Sequence, residues 1–201
     1  SKIIIVFKST VPLDILVRSY PANNNNKPAN SWGTKSKKKD KRDLILELEK
    51  NGFSIDLDML TNTTKPTVSK KQGYLLAPDA MPKMVDGRGD FLSNATHLAI
   101  ESLSTNEEGF FLMVEGSQID WGGHANELNY VVSEFKDFDA AIHTVLYYTI
   151  KNPNTLVVVT VEHETGGVSL LKGDLITMSL DAVVATLAHT GKRVQLFSLV
   201  T

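Results

Sequence analysis

The segment "VEGSQIDWGGHAN", Val114 to Asn126, gathers Glu115, Asp120 and His124 around a Trp-Gly-Gly turn, directly after the apolar run "GFFLMV". Carboxylate oxygens and imidazole nitrogens are ligands for divalent cations, and residues four apart can converge on one ion. Glycines 122 and 123 would let the backbone come close to it. Alone, Asp120 and His124 read equally as a capped helix start with a surface histidine. A second cluster favours metal. Glu162 and His163 also follow an apolar strand, "TLVVVTV", and "TGG", Thr165 to Gly167, supplies another close turn. His189, in "AHTGK", adds an imidazole before a further strand. Of the five histidines, the other two, His97 and His143, fall inside helical patterns and read as structural.

The chain has no cysteine, so disulfides and thiolate metal sites are excluded, and a metal must be held by His, Asp and Glu. Oxygen and imidazole donors together suit Zn²⁺, while a carboxylate without an adjacent histidine, such as Glu115, suits Mg²⁺. Two zinc ions about 4 Å apart would serve phosphoryl transfer and other metal-assisted hydrolyses alike.

These residues need rigid elements beneath them. Ile3 to Phe7 reads as a short strand, followed by a weakly helical or extended piece broken by Pro12. Residues 21–42, rich in Asn, Lys and Pro, read as a mobile, solvated loop. "RDLILELEKNGF" is a helix with Asn51-Gly52 as its stop, and "FSIDLD" a short strand. Met59 to Asp86 reads as mostly turn and loop, and Asp90 to Leu103 as a second helix. "GFFLMVEG" is expected to be a strand buried on both faces. Asn126 to Ile150 carries apolar residues at 128, 131, 132, 135, 138, 142, 145 and 146, which is helical spacing. "NTLVVVTV" is a fully apolar strand and "KRVQLFSLV" a last one. Alternating helices and unbroken apolar strands imply an α/β fold, with a largely parallel sheet flanked by helices. In such sheets the site lies beyond the carboxyl ends of the strands, where both ligand clusters fall.

The 201 residues suffice for a single domain spanning 1–201, and 42% hydrophobic with 22% charged residues is ordinary for a globular chain. The net charge of −2 argues against nucleic acid or an anionic membrane as partner. The basic run Lys35 to Arg42 reads as a solvated loop, since no RNA-binding motif accompanies it. No apolar run approaches the roughly 18 residues of a membrane span, and "SKIIIVFK" is too short for a secretory signal. The chain starts at Ser rather than Met, which suggests a processed or incomplete sequence.

"VEGSQIDWGGHAN", "VTVEHETGG" and "HTG", in this order, resemble the C-terminal half of alkaline phosphatases. Weaker agreement runs through "RDLILELEKNGF", "LLAPDAMP" and "RGDFLSNATHLAIESL", so that the likeness covers about Lys41 to Phe197. The resemblance implies an alkaline-phosphatase-like α/β domain, partial in extent, that hydrolyses small-molecule phosphate monoesters with two zinc ions and one magnesium. It implies that Glu115 binds magnesium, that Asp120, His124 and His189 bind one zinc, and that Glu162 and His163 belong to the second. A homodimer and a periplasmic or extracellular location are implied in the same way.

The departures are specific. The family has Asp where this chain has Glu162. One extra methylene moves a carboxylate by about 1.5 Å, against a tolerance of about 0.2 Å in a zinc–ligand bond, so the second site is expected to be weakened. No Asp-Gly-Met-Gly strand end and no Asp-Ser-Ala turn with its serine nucleophile is found. Ser9, in "FKSTVP", is the only serine directly after the first apolar strand, and it lacks the family's surrounding pattern; the nucleophile is not identified. The alternative reading is a non-catalytic metal-binding remnant or truncated chain. A related diesterase or sulfatase of the same superfamily is a third.

Overall fold

The computed structural model describes residues 5–6, 15–20, 44–57, 60, 63–66, 71–78, 80–161, 163–174, 179–191, 193 and 196–200. The chain divides into two compact units. The first comprises Ser1–Pro82 and Asn94–Glu115, and the second Lys83–Ser93 and Gly116–Thr201. The 21–42 loop, Pro12 and Ser9 lie outside the described residues.

In the first unit, strands β1 (Ile5–Val6), β2 (Ile15–Tyr20), β3 (Phe53–Asp56) and β4 (Lys71–Pro78) form a sheet in the order β1-β2-β4-β3. Helix α1 (Leu44–Lys50) ends as its sequence requires, with Gly52 in the left-handed region at φ 88°. The sheet is mixed: β2 and β3 run parallel to β4, and β1 runs antiparallel to β2.

Strand β4 corrects the expectation of loop between Met59 and Asp86. Its apolar stretch is only Tyr74 to Ala77, preceded by Gln72 and Gly73, which is too short and too interrupted to read as a strand. Yet every residue from Gln72 to Ala77 is buried. Gly73 is there for space: a Cβ at this position would lie 2.6 Å from Ile55 Cδ1 on the neighbouring β3. The glycine that masked the strand is what lets the strand pair closely.

Helix α2 (Phe91–Leu103) buries Leu92, Ala95, Leu98, Ala99 and Leu103, the apolar positions its sequence marks. The stretch after it departs from expectation. "GFFLMVEG" is irregular backbone with a single bridge residue at Leu112, and Phe111 and Met113 are exposed. Continuity of apolar residues predicted cover on both faces; alternate side chains here are exposed on one.

Among the described residues the second unit contains α3 (Gln118–Ala125), α4 (Leu128–Lys151) and six strands. These are β5 (Leu156–Thr160), β6 (Glu164–Thr165), β7 (Ser169–Asp174), β8 (Ser179–Val183), β9 (His189–Thr190) and β10 (Leu196–Val200). They pair antiparallel as β5–β10, β6–β9 and β7–β8. Across both units two ladders are parallel and four antiparallel, so the largely parallel sheet is not what the described residues form. Nor is β5 buried throughout: among the described residues it pairs with β10 alone, and Leu156 and Val158 are exposed.

Helix α4 has the expected extent, but its buried stripe is not the apolar one. Val132, Phe135 and Leu146 are exposed, while Tyr130, Glu134, Asp137 and Ala141 are buried. The cause is Arg88, itself buried, which donates from Nη2 to Glu134 Oε2 and, at 2.8 Å, to Asp137 Oδ2. Burial raises the Asp137 carboxyl above its usual range, against the opposing pull of the Arg88 guanidinium. Charge pairing, not apolar periodicity, selects the inner face.

Candidate metal centre

Asp120 and His124 belong to α3, a helix of their own rather than a turn at the start of α4. A spacing of four on a helix puts both side chains on one face. Asp120 lies in the first turn and His124 in the last, where a carboxylate and an imidazole are each favoured by the helix dipole. Asn126 closes α3 at φ 59°, its N–H donating to the carbonyls of Gly122 and Gly123. From α4, the buried Tyr130 hydroxyl donates to Gln118 Oε1 at 2.6 Å and locks the two helices together. Burial, then the nearby Glu134 carboxylate, pushes that phenol up to about 12, so the donor keeps its proton.

The Gly122-Gly123 pair serves packing. A Cβ on Gly122 would stand 2.8 Å from the Val131 nitrogen of α4, and one on Gly123 would stand 2.7 Å from the Thr165 carbonyl oxygen of β6. The glycines therefore admit neighbouring backbone, not an ion as their position in sequence suggested. Their approach brings β6 beneath Asp120. The β6–β9 ladder then sets Thr165 opposite His189 and Glu164 opposite Thr190. Glu164 holds this rung by accepting from the Thr190 hydroxyl and from the Val168 N–H.

The result is a convergence of donor atoms. His124 Nε2 and His189 Nε2 are 3.1 Å apart, and they lie 3.5 and 3.6 Å from Asp120 Oδ1. Tetrahedral zinc with bonds of roughly 2.0–2.1 Å needs ligand atoms about 3.3–3.4 Å apart. The donor set and its spacing both fit one such ion. His124 Nδ1 lies 2.7 Å from the Leu187 carbonyl, which can only accept. The ring proton is therefore on Nδ1, and the Nε2 lone pair faces the cluster. All three side chains are partly exposed, between 29% and 51%, so a solute can reach them.

Of the other expected ligands, His163 stacks on His189 with ring centroids 3.7 Å apart. Glu115 is half-buried in the first unit, and Glu162 lies outside the described residues. His97 and His143 lie on helices α2 and α4, as their patterns implied, and both are exposed. The sequence reading missed the supporting groups: Thr165, whose hydroxyl donates to Asp120 Oδ1 at 2.6 Å, and the Leu187 carbonyl. In sequence, Thr165 marks only the first residue of a turn.

An α/β chain with a carboxylate and two imidazoles gathered where they could hold a divalent cation is the class these features define. The alkaline phosphatase family model matches residues 18–194, and the chain belongs to that family. It is 41% identical over 134 residues to alkaline phosphatase 3 of Bacillus subtilis, covering 64% of this chain and 28% of that protein. It is 32% identical over 185 residues to the repressible alkaline phosphatase of Saccharomyces cerevisiae, covering 82% and 32%. The alkaline phosphatase of the Antarctic bacterium TAB5 superposes with a TM-score of 0.72 at 41% identity, covering 81% of this chain and 49% of that one. A mutant of that enzyme with Mg bound in its M3 site gives 0.73 at 42%. The chain thus spans about half the length of the solved relatives and under a third of the curated ones.

Proposed function

We propose that this chain carries the metal-binding wall of a phosphomonoesterase centre of alkaline phosphatase type, with its two units as parts of one alkaline-phosphatase-like domain. The observation that supports it most is the triad Asp120, His124 and His189, whose donor atoms all lie within 4.8 Å of one another. In this reading the triad holds one zinc, Glu162 and His163 belong to a second, and Glu115 holds magnesium. A divalent cation bound there supplies positive charge that stabilises phosphoryl oxygens and lowers the pKa of an attacking hydroxyl or water.

The chain's own residues supply aim. The Leu187 carbonyl fixes the His124 tautomer, and the Thr165 hydroxyl fixes the rotamer of Asp120, so the triad is oriented before an ion arrives. Partial exposure leaves one side open to a small phosphate monoester. Among the described residues, no helix is long and apolar enough to cross a membrane. A homodimer in the periplasm or outside the cell is part of the same proposal, and rests on the family.

Metal analysis after zinc loading and dialysis tests the reading. The wild-type chain is expected to retain a tightly held zinc that His124→Ala loses. Wild-type chain without zinc, or unchanged content in His124→Ala, overturns it.

A further inference from the structure

The hydrogen bonds behind the triad run in one direction, and that direction connects the two halves of the site. A carboxylate only accepts, so the single proton of the Thr165 hydroxyl goes to Asp120 Oδ1. The Thr165 oxygen is then free to accept, and His163 Nδ1 lies 3.1 Å from it. His163 must therefore carry its ring proton on Nδ1, which leaves the Nε2 lone pair as the acceptor of the neutral ring. The Leu187 carbonyl does the same for His124. One hydroxyl thus touches a residue of each proposed zinc site, donating to Asp120 and accepting from His163.

Its position is over-determined. Thr165 is paired with His189 across the β6–β9 ladder, and its carbonyl is pressed against Gly123, one residue before His124. The Glu164 carboxylate, engaged by Thr190 and Val168, is turned to holding the ladder. This packing brings the Thr165 hydroxyl within hydrogen-bond distance of Asp120 and His163 together.

We infer that Thr165 is a positioning residue shared by both metal sites: its hydroxyl orients Asp120 for one ion and sets the His163 tautomer for the other. The inference rests on the proposed function for the identity of the sites, and goes beyond it in assigning one residue to both. Removing the hydroxyl costs both effects at once. Outer partners of metal ligands typically command about 10–100-fold in affinity.

Two measurements on the full chain test it. In long-range proton–nitrogen spectra of metal-free protein, His163 is expected as the Nδ1–H tautomer, and Thr165→Val is expected to lose that preference. In zinc titrations, Thr165→Val is expected to weaken the His124-dependent site by about 10–100-fold, while Thr165→Ser stays within about threefold of wild type. Wild-type His163 found as the Nε2–H tautomer overturns the inference without requiring any variant to fold. So does zinc binding by Thr165→Val at wild-type strength, or equal weakening in Thr165→Ser, which would assign the effect to the methyl group. If the wild-type chain binds no zinc through His124, the proposed function fails and takes this inference with it. If it binds zinc and Thr165→Val is indistinguishable, only the inference fails.

Discussion

Asp120 and His124 are recognisable as candidate ligands because their donor chemistry is carried by residue type, and four-residue spacing converges on a helix whether or not the helix is foreseen. His189 is different. It sits 65 residues from His124 yet has its Nε2 3.1 Å away, and only the β6–β9 pairing accounts for that. Thr165 left no mark in the sequence, since a threonine beside two glycines ordinarily makes a turn. Its role exists only once Asp120 and His163 flank it. Glu162 makes its own case by length. A carboxylate one methylene longer than the family's Asp should sit badly for a zinc–ligand bond. Glu162→Asp is expected to tighten the second metal equivalent by about tenfold or more, read by competitive zinc titration. Unchanged or weaker binding would mean that the backbone already accommodates the longer side chain.

Helix α3 shows how elements were misjudged when their boundaries depended on neighbours. The run from Asp120 to His124 looked like a turn because two glycines lower helix propensity. Packing reverses that preference: Gly122 accepts the backbone of α4 and Gly123 that of β6. Gly123→Ala places a Cβ 2.7 Å from the Thr165 carbonyl, which a backbone atom cannot evade cheaply. The substitution is expected to cost about 1–3 kcal/mol, or a melting temperature lower by roughly 2–12 °C, and to weaken zinc binding by displacing Thr165 from Asp120. An unchanged melting curve and zinc affinity would show that α3 and β6 are not so tightly apposed. The same kind of masking hid β4, where Gly73, just before the short apolar run Tyr74 to Ala77, makes room for Ile55. In α4 the apolar spacing gave the helix's length correctly and its inner face wrongly, because the buried Arg88 draws Glu134 and Asp137 inward.

For the whole molecule, family membership extends over residues 18–194, while the chain covers about half of its solved relatives. A metal-binding wall and a nucleophile are separable parts of such a centre, and the sequence contains no Asp-Ser-Ala turn. Hydrolysis of p-nitrophenyl phosphate by this chain alone is therefore expected to be weak or absent even when zinc is bound. Robust turnover that survives Ser9→Ala would reveal a nucleophile elsewhere in the chain. The candidate ligands Asp120, His124 and His189, the helix patterns of α1, α2 and α4, and the family were all readable from residue order. Each depends on side-chain chemistry or on periodicity over a few turns, and such local properties are written directly in the chain. The assembly of Asp120, His124 and His189, the contact of Thr165 with Asp120, and the inner face of α4 depend on partners 45 to 69 residues away. Contacts of that range form only when strands pair and glycines admit neighbouring backbone, and no local pattern encodes them.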